Sequence, residues 1–231
     1  MTTRNTLLTL ILCLVVAANA WPADDVTIIG ILDDGPLSRS LIPLDGIRAE
    51  VATLTTGEFD VRFPETKRLA ADWTLAGARR VLERHLADPD VDIIICLGIL
   101  TCHVAGTYGD LNKPVIAPVV PDALLQGFPF QDGASGRPNL VYVTNLHSID
   151  DDLRAFSDAA RISRVAILVD DAVLRAFSSF LGEKLRQVAA GLGLELVATP
   201  VGDSLTGAIA AIPGDVDGVY VTPLLRFDDV S

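Results

Sequence analysis

Two cysteines and a histidine stand close together in VDIIICLGILTCHVAG, residues 91–106. Cys96 lies inside the apolar run, and Cys102 and His103 follow Gly98. Thiol and imidazole are the groups of nucleophilic hydrolysis and of zinc ligation. A structural zinc needs about four converging ligands. The remaining histidines are His85, on what reads as a polar helix face, and His147, between strands; no second Cys-His group accompanies them, so no metal is expected. A thiolate is favoured at a helix N-terminus, the position Cys102 takes in the pattern. His103 cannot serve it as base, because adjacent helical residues point apart. The stretch reads better as a wall: Cys96 in a core, and Leu100, Thr101 and Cys102 along a ligand cleft. Amides at the helix start there would hold a ligand carboxylate. A Cys96–Cys102 disulfide would distort the strand end.

Asp33 and Asp34, at the end of VTIIGILDD, are the next candidates. Paired acids in this position suggest a phosphoacceptor pocket, but that pocket needs a further acid where Gly98 stands. Two readings remain, capping of the strand end or a grip on a ligand ammonium. LTTGEF and DGASGRPN carry glycines without a phosphate-loop pattern. No GxGxxG follows the first strand, and there is no GxSxG nucleophile elbow. No convincing Ser-His-Asp set is visible.

These residues need elements to hold them. VTIIGILDD (26–34) reads as a buried strand, and the segment up to Gly57 as helical in its second half. FDVRFP (59–64) is a short strand. Asp72 is placed to cap a helix with the stripe Leu75, Ala78, Leu82 and Leu86, closed by Pro89. VDIIICLG (91–98) is apolar throughout, as a strand covered on both faces must be. A short helix is predicted from about Thr101. KPVIAPVV (113–120) is a strand whose two prolines put it at a sheet edge or mark its ends. FPFQDGASGRPN (128–139) is a surface loop, and NLVYVTN (139–145) is a strand. Ser148 caps a helix with Asp150, Asp151 and Asp152 in its first turn, where the helix dipole favours acids; Leu153, Phe156 and Ala160 line its buried face. RVAILVDD (164–171) leads into one helix through Val173, Phe177, Leu181, Leu185 and Val188, stopped by Gly191 and Gly193. LELVATPV (194–201) is a strand, SLTGAIAAI a short helix, and VDGVYVTPLL (216–225) a last strand.

Alternating strands and helices predict parallel sheets with right-handed crossovers. The pattern also repeats. VTIIGILDDGPL is echoed by RVAILVDDAVL, with Asp33-Asp34 and Asp170-Asp171 set 137 residues apart, and VDIIICLGIL by VDGVYVTPLL. Two similar α/β lobes are expected.

The N-terminus has one cation, Arg4, then TLLTLILCLVVAA, then Ala18-Asn19-Ala20. That is the pattern of a cleavable secretory signal, residues 1–20, on a mature chain starting at Trp21. The apolar run is short for a membrane span, which needs about 20 residues. Removing it discards Arg4 and no acid, so the net charge goes from -12 to -13. Nucleic acid and anionic membrane surfaces, which reward Lys and Arg, are not expected partners. Two cysteines in the mature chain are too few for a disulfide scaffold.

In this order the features resemble the type I periplasmic binding proteins, and within them the ABC-transporter substrate-binding family. The resemblance runs over residues 26–225: the signal, VTIIGILDD, DIIICLGILTCHVAG, KPVIAPVVPDALLQGFP, the crossover near Asn145, and RVAILVDD opening a second lobe. Ile99 stands where that family has Thr, and Pro121-Asp122 reverses its Asp-Pro. The resemblance implies lobes over 21–145 and 146–231, the second incomplete because the sequence stops at Ser231. It implies a small-molecule ligand, amino acid-like, in an interlobe cleft, no cofactor, no catalysis, and a membrane permease or efflux-type complex as partner in the periplasm. Ligands of open parallel sheets bind beyond the carboxyl ends of the strands. The cleft residues would then be Asp33, Asp34, Leu100, Thr101, Cys102, Pro121, Asp122, Asp170 and Thr222. The alternatives are an accessory or sensor protein of an export system and a periplasmic hydrolase.

Overall fold

In the computed structural model, residues 26–36, 43–145, 148–160, 162–178 and 181–224 are described. The signal segment, the mature start at Trp21 and His147 lie outside them. The chain forms two all-parallel sheets. The first contains β1 (Val26–Asp33), β2 (Asp60–Arg62), β3 (Arg68–Ala70), β4 (Ile93–Cys96), β5 (Val115–Val120) and β6 (Leu140–Thr144). Its order is β2-β1-β4-β5-β6, and β3 also pairs with β1. The second contains β7 (Arg164–Asp170), β8 (Glu195–Val201) and β9 (Gly218–Val221), in the order β8-β7-β9. β7 thus stands between β8 and β9 as β1 stands between β2 and β4, the spatial form of the sequence repeat.

The strands earn their burial on both faces. In β1 and β4, Ile31 pairs with Ile95 and Leu32 with Cys96. Side chains alternate across a strand, so Leu32, Ile94 and Cys96 join the main core while Ile29, Ile31 and Ile95 join a smaller cluster on the other face. The same register brings Asp33 and Asp34 beside the turn Leu97–Gly98, where Leu97 N donates to Leu32 O at 2.8 Å.

The helices follow their caps. Helix α1 (Leu44–Thr55) ends before Gly57, which has a positive φ of 81°. Helix α2 (Leu75–Ala87) is capped by Thr74, whose side chain accepts from Gly77 N. The expected cap, Asp72, instead accepts from Thr74 Oγ1 at 2.5 Å and pairs with Arg80. Ala78, Leu82 and Leu86 of the predicted stripe are buried. His85 is buried too, not on a polar face: its ring fills the space over Gly30, where a Cβ would come within 2.9 Å of it. Helix α3 (Ile99–Thr107) begins two residues before the expected Thr101 and is buried from Ile99 to Gly106.

Two further expectations are corrected. β5 is an interior strand between β4 and β6, not an edge. Its prolines are tolerated because Pro114 precedes it and Pro118 falls where the register with β6 shifts, between Ala117 and Val120, so no ladder donor is missed. The predicted helix after β7 is two helices, α5 (Asp171–Phe177) and α6 (Leu181–Gly191); α4 (Ile149–Ala160) precedes them and α7 (Leu205–Ala210) follows. Phe177 and Val188 would share one face of a straight helix. Phe177 packs into the first lobe's core and Val188 into the second's, so one axis cannot serve both. Ser148 caps α4 as expected, its Oγ accepting from Asp151 N at 3.2 Å, and Leu153 is fully buried beneath it.

Candidate functional site: a cavity between the lobes

The carboxyl ends of β1 and β4 hold a closed arrangement. Asp34 is 2% exposed. Its Oδ2 accepts from Leu100 N at 2.9 Å, and its Oδ1 accepts from Thr101 N at 2.8 Å and Thr101 Oγ1 at 2.9 Å. Burial pushes this carboxyl above its ordinary range, and the bonds from Leu100 and Thr101 pull against that shift. The fit depends on Gly98, where a Cβ would lie 2.1 Å from Asp34 Cγ. The amides at the start of α3, expected to hold a ligand carboxylate, therefore hold one from the chain itself.

Asp33 is occupied as well. Arg68 donates to it through Nε at 2.6 Å and through Nη2 at 3.2 Å, a two-point grip. Arg68 comes from β3, which the sequence pattern did not show. Cys96 and Cys102 are free thiols, fully buried, with Cys102 Sγ donating to Cys96 O at 3.3 Å. Burial pushes both thiols far above their usual range. A thiol so placed does not act as a nucleophile, which needs the thiolate. Among the described residues, no group of three or more His, Cys, Asp or Glu side chains is arranged to hold a metal.

The lobes meet through α3 and α5. Phe177, 5% exposed, inserts into the first lobe's core. Its ring stands edge-on to His103, with centroids 4.9 Å apart. Burial lowers the proton affinity of His103, and neighbouring Gln126 opposes that effect. Asp122 ties the lobes at the crossover: Leu125 N donates to its Oδ1 at 2.8 Å and Ile149 N to its Oδ2 at 3.1 Å. Lys184 Nζ donates across the boundary to Leu125 O at 3.2 Å.

Beside these contacts lies a cavity of about 610 Å³ with walls from both lobes. The first lobe contributes the ends of β5 and β6, including Pro121, Asp122, Thr144 and Asn145; the second contributes Val169, Phe177, Tyr220 and Thr222. Of the nine residues the sequence suggested, Pro121, Asp122 and Thr222 line it. Asp33, Asp34, Leu100, Thr101 and Cys102 lie outside its lining, satisfied in the first lobe. Asp170 is fully buried, with Ala172 N donating to its Oδ1 at 2.9 Å at the start of α5. Thr222 is at the cavity with its Oγ1 donating to Leu168 O at 3.0 Å. Thr144 and Asn145 could have been found by the same strand-end rule. Gln126, Phe177 and Tyr220 could not, since each reaches the cavity from within a turn, a helix end or a strand.

No family model and no curated protein matches the chain. Solved structures do, as likenesses of fold. One is described as the ABC domain in complex with L-Trp from Streptococcus pneumoniae, with TM-score 0.58, 16% identity, and coverage of 87% of this chain and 66% of that one. A second is a conserved domain protein from Vibrio cholerae, with TM-score 0.51, 14% identity, and coverage of 76% and 57%. A third is the leucine binding protein LivK from Thermotoga maritima, with TM-score 0.50, 17% identity, and coverage of 85% and 56%. The chain spans between 56% and 66% of the length of these structures. Its parallel α/β architecture is that of the type I periplasmic binding proteins.

Proposed function

We propose that this chain, with its type I periplasmic binding fold, is the exported substrate-binding component of an ABC-type transport system. It holds a small organic solute of amino-acid size between lobes over 21–145 and 146–231 and presents it to a membrane permease. The observation that carries this reading is the cavity of about 610 Å³ walled by both lobes, within the range of small-molecule sites. The first sheet ends with β6 at Thr144, and α4, from Ile149, leads to the second sheet. Closure about such a crossing would change how the lobes present themselves to a permease. Buried, protonated thiols favour binding over covalent catalysis. Export is favoured by the N-terminal apolar run with its Ala-Asn-Ala end, and no helix among the described residues is long and apolar enough to cross a membrane.

The test is a thermal-shift screen of the purified chain against amino acids and related small organic compounds. A solute present at about 100 times its Kd adds about 2.7 kcal/mol of stability, a rise of roughly 5–10 °C for a chain of this size. A panel without any shift, together with co-purification of a membrane partner, would replace this reading by the accessory one.

A further inference from the structure

We propose that the cavity takes a neutral lipophilic molecule of amino-acid size, held by its hydrocarbon skeleton and carrying no ammonium or carboxylate. The inference rests on the reading of the cavity as the solute site and specifies the chemistry of that solute.

The floor of the cavity is an apolar sheet face that the protein's own helices leave half covered. Side chains alternate across a strand, so Val165, Ile167 and Val169 share one face of β7. Val165 is fully buried in the core that Leu153 of α4 and Ala189 of α6 build over that face. Ile167 and Val169, further along the same strand, are only half-buried and line the cavity. In register with Ile167 stand Ala198 of β8 and Tyr220 of β9, which line it too. Val173 and Phe177 of α5 and Val119 of β5 add further apolar walls. The core of the second lobe thus runs on into the cavity, and a hydrocarbon placed there completes its cover.

Charge finds little to meet on these walls. The charged residues that line the cavity are Asp122, Asp152 and Arg186. Asp122 is 7% exposed and already accepts a backbone N–H on each oxygen, from Leu125 at 2.8 Å and from Ile149 at 3.1 Å. Asp152 and Arg186 are exposed to solvent; Asp152 accepts from Tyr220 Oη at 3.3 Å, and Arg186 pairs with Glu183 at 2.8 Å. The helix-start amides of α3 are taken by Asp34. An amino acid would shed the water around two ions and gain in return one engaged carboxylate and two groups screened by solvent. A neutral molecule has no such water to lose. A hydroxyl on it keeps its own water at the exposed edge, where Asp152 and Arg186 stand.

Isothermal titration of the full chain would compare four compounds on one skeleton: phenylpropanol, phenylpropylamine, hydrocinnamate and phenylalanine. The expected result is that the alcohol binds at least about tenfold more tightly than each charged compound. Between two plain alcohols, hexanol should bind about fourfold more tightly than pentanol, the gain from burying one further methylene. Ala198→Phe, which lays a ring over the floor, should weaken the alcohols at least about tenfold. Val169→Thr, which keeps the shape and adds a hydroxyl to the floor, should weaken them severalfold; melting of each free variant checks that it is folded. A charged compound binding as tightly as phenylpropanol would overturn this inference and leave the cavity as a solute site. Equal affinities for hexanol and pentanol, or unchanged alcohol affinity in either folded variant, would also overturn it. If no compound of any class binds, the cavity is not the solute site and both readings fall.

Discussion

Gly98→Ala isolates the contact on which the end of the first sheet depends. Gly98 has φ of -137°, an extended backbone open to any residue, so no torsional strain enters. The added methyl would lie 2.1, 2.2 and 2.4 Å from Asp34 Cγ, Oδ1 and Oδ2, and contacts that short force the carboxylate away. Overpacking of a close-packed site costs about 1–3 kcal/mol. Leaving the amides of Leu100 and Thr101 unpaired costs about 1–3 kcal/mol each, offset in part because Asp34 regains water. The net loss is about 3 kcal/mol, or roughly 6–12 °C in Tm. Urea unfolding of wild type, Gly98→Ala, Asp34→Ala and the double variant measures it. Asp34→Ala alone is destabilising by a similar amount, since the same amides lose their acceptor. Once Asp34 is gone the methyl has room, so Gly98→Ala adds less than about 1 kcal/mol, and the coupling in the cycle is about 2–3 kcal/mol. A Gly98→Ala protein within about 0.5 kcal/mol of wild type, or strictly additive variants, would refute the steric account.

Burial lowers the proton affinity of His85 and His103. The unfolded chain therefore takes up protons below about pH 6.5 that the native rings resist. Stability should be full above that value and decline as the pH falls through it, and the decline should be smaller in His103→Gln. Comparing variant with wild type removes the shared carboxyl contributions, including Asp34, whose raised value acts in the opposite sense; identical urea midpoints against pH for the two proteins would show that the ring contributes nothing. Cys96 and Cys102 should resist alkylation in the native protein and react only on unfolding, as read by mass mapping of the peptide that holds them. Rapid native labelling would contradict their burial. The intact mass of protein from a periplasmic extract should fit a chain beginning at Trp21, and retention of Met1 or its neighbours would argue against signal cleavage after Ala20.

Much of the fold is legible because it depends on local patterns. The runs VTIIGILD and IIIC announce buried strands, and Ser148 lies where its helix starts, whereas the cap expected at Asp72 is supplied by Thr74 two residues on. The echo of VTIIGILDD in RVAILVDD becomes the matched strand order around β1 and β7. What is not legible depends on partners distant in sequence. Asp33 looks available until Arg68, 35 residues away, closes on it. Asp34 looks like a ligand contact until β1 and β4 are in register and Gly98 leaves room for its carboxylate. The break between α5 and α6 has no glycine or proline to mark it, because it follows from Phe177 and Val188 serving different cores. His85 passes for a surface residue because only pairing places Gly30 beneath it. The strand-end rule found Pro121, Asp122 and Thr222, which reach the cavity directly from strand termini, and had no means of finding Gln126, held inside a turn.

Phe177 gives the lobes an energetic latch. Its ring belongs to the second lobe by chain but to the first lobe by packing. Parting the lobes enough to withdraw it would return an aromatic side chain to water, at about 2–3 kcal/mol. Taken alone, that cost disfavours parting of the lobes by roughly a hundredfold. A solute that enters only through the parted form associates about a hundredfold more slowly than encounter alone would allow, and once enclosed it leaves at the pace of the same rare opening. On the proposed binding function, Phe177 would then set residence time as well as shape, through its size rather than any charge.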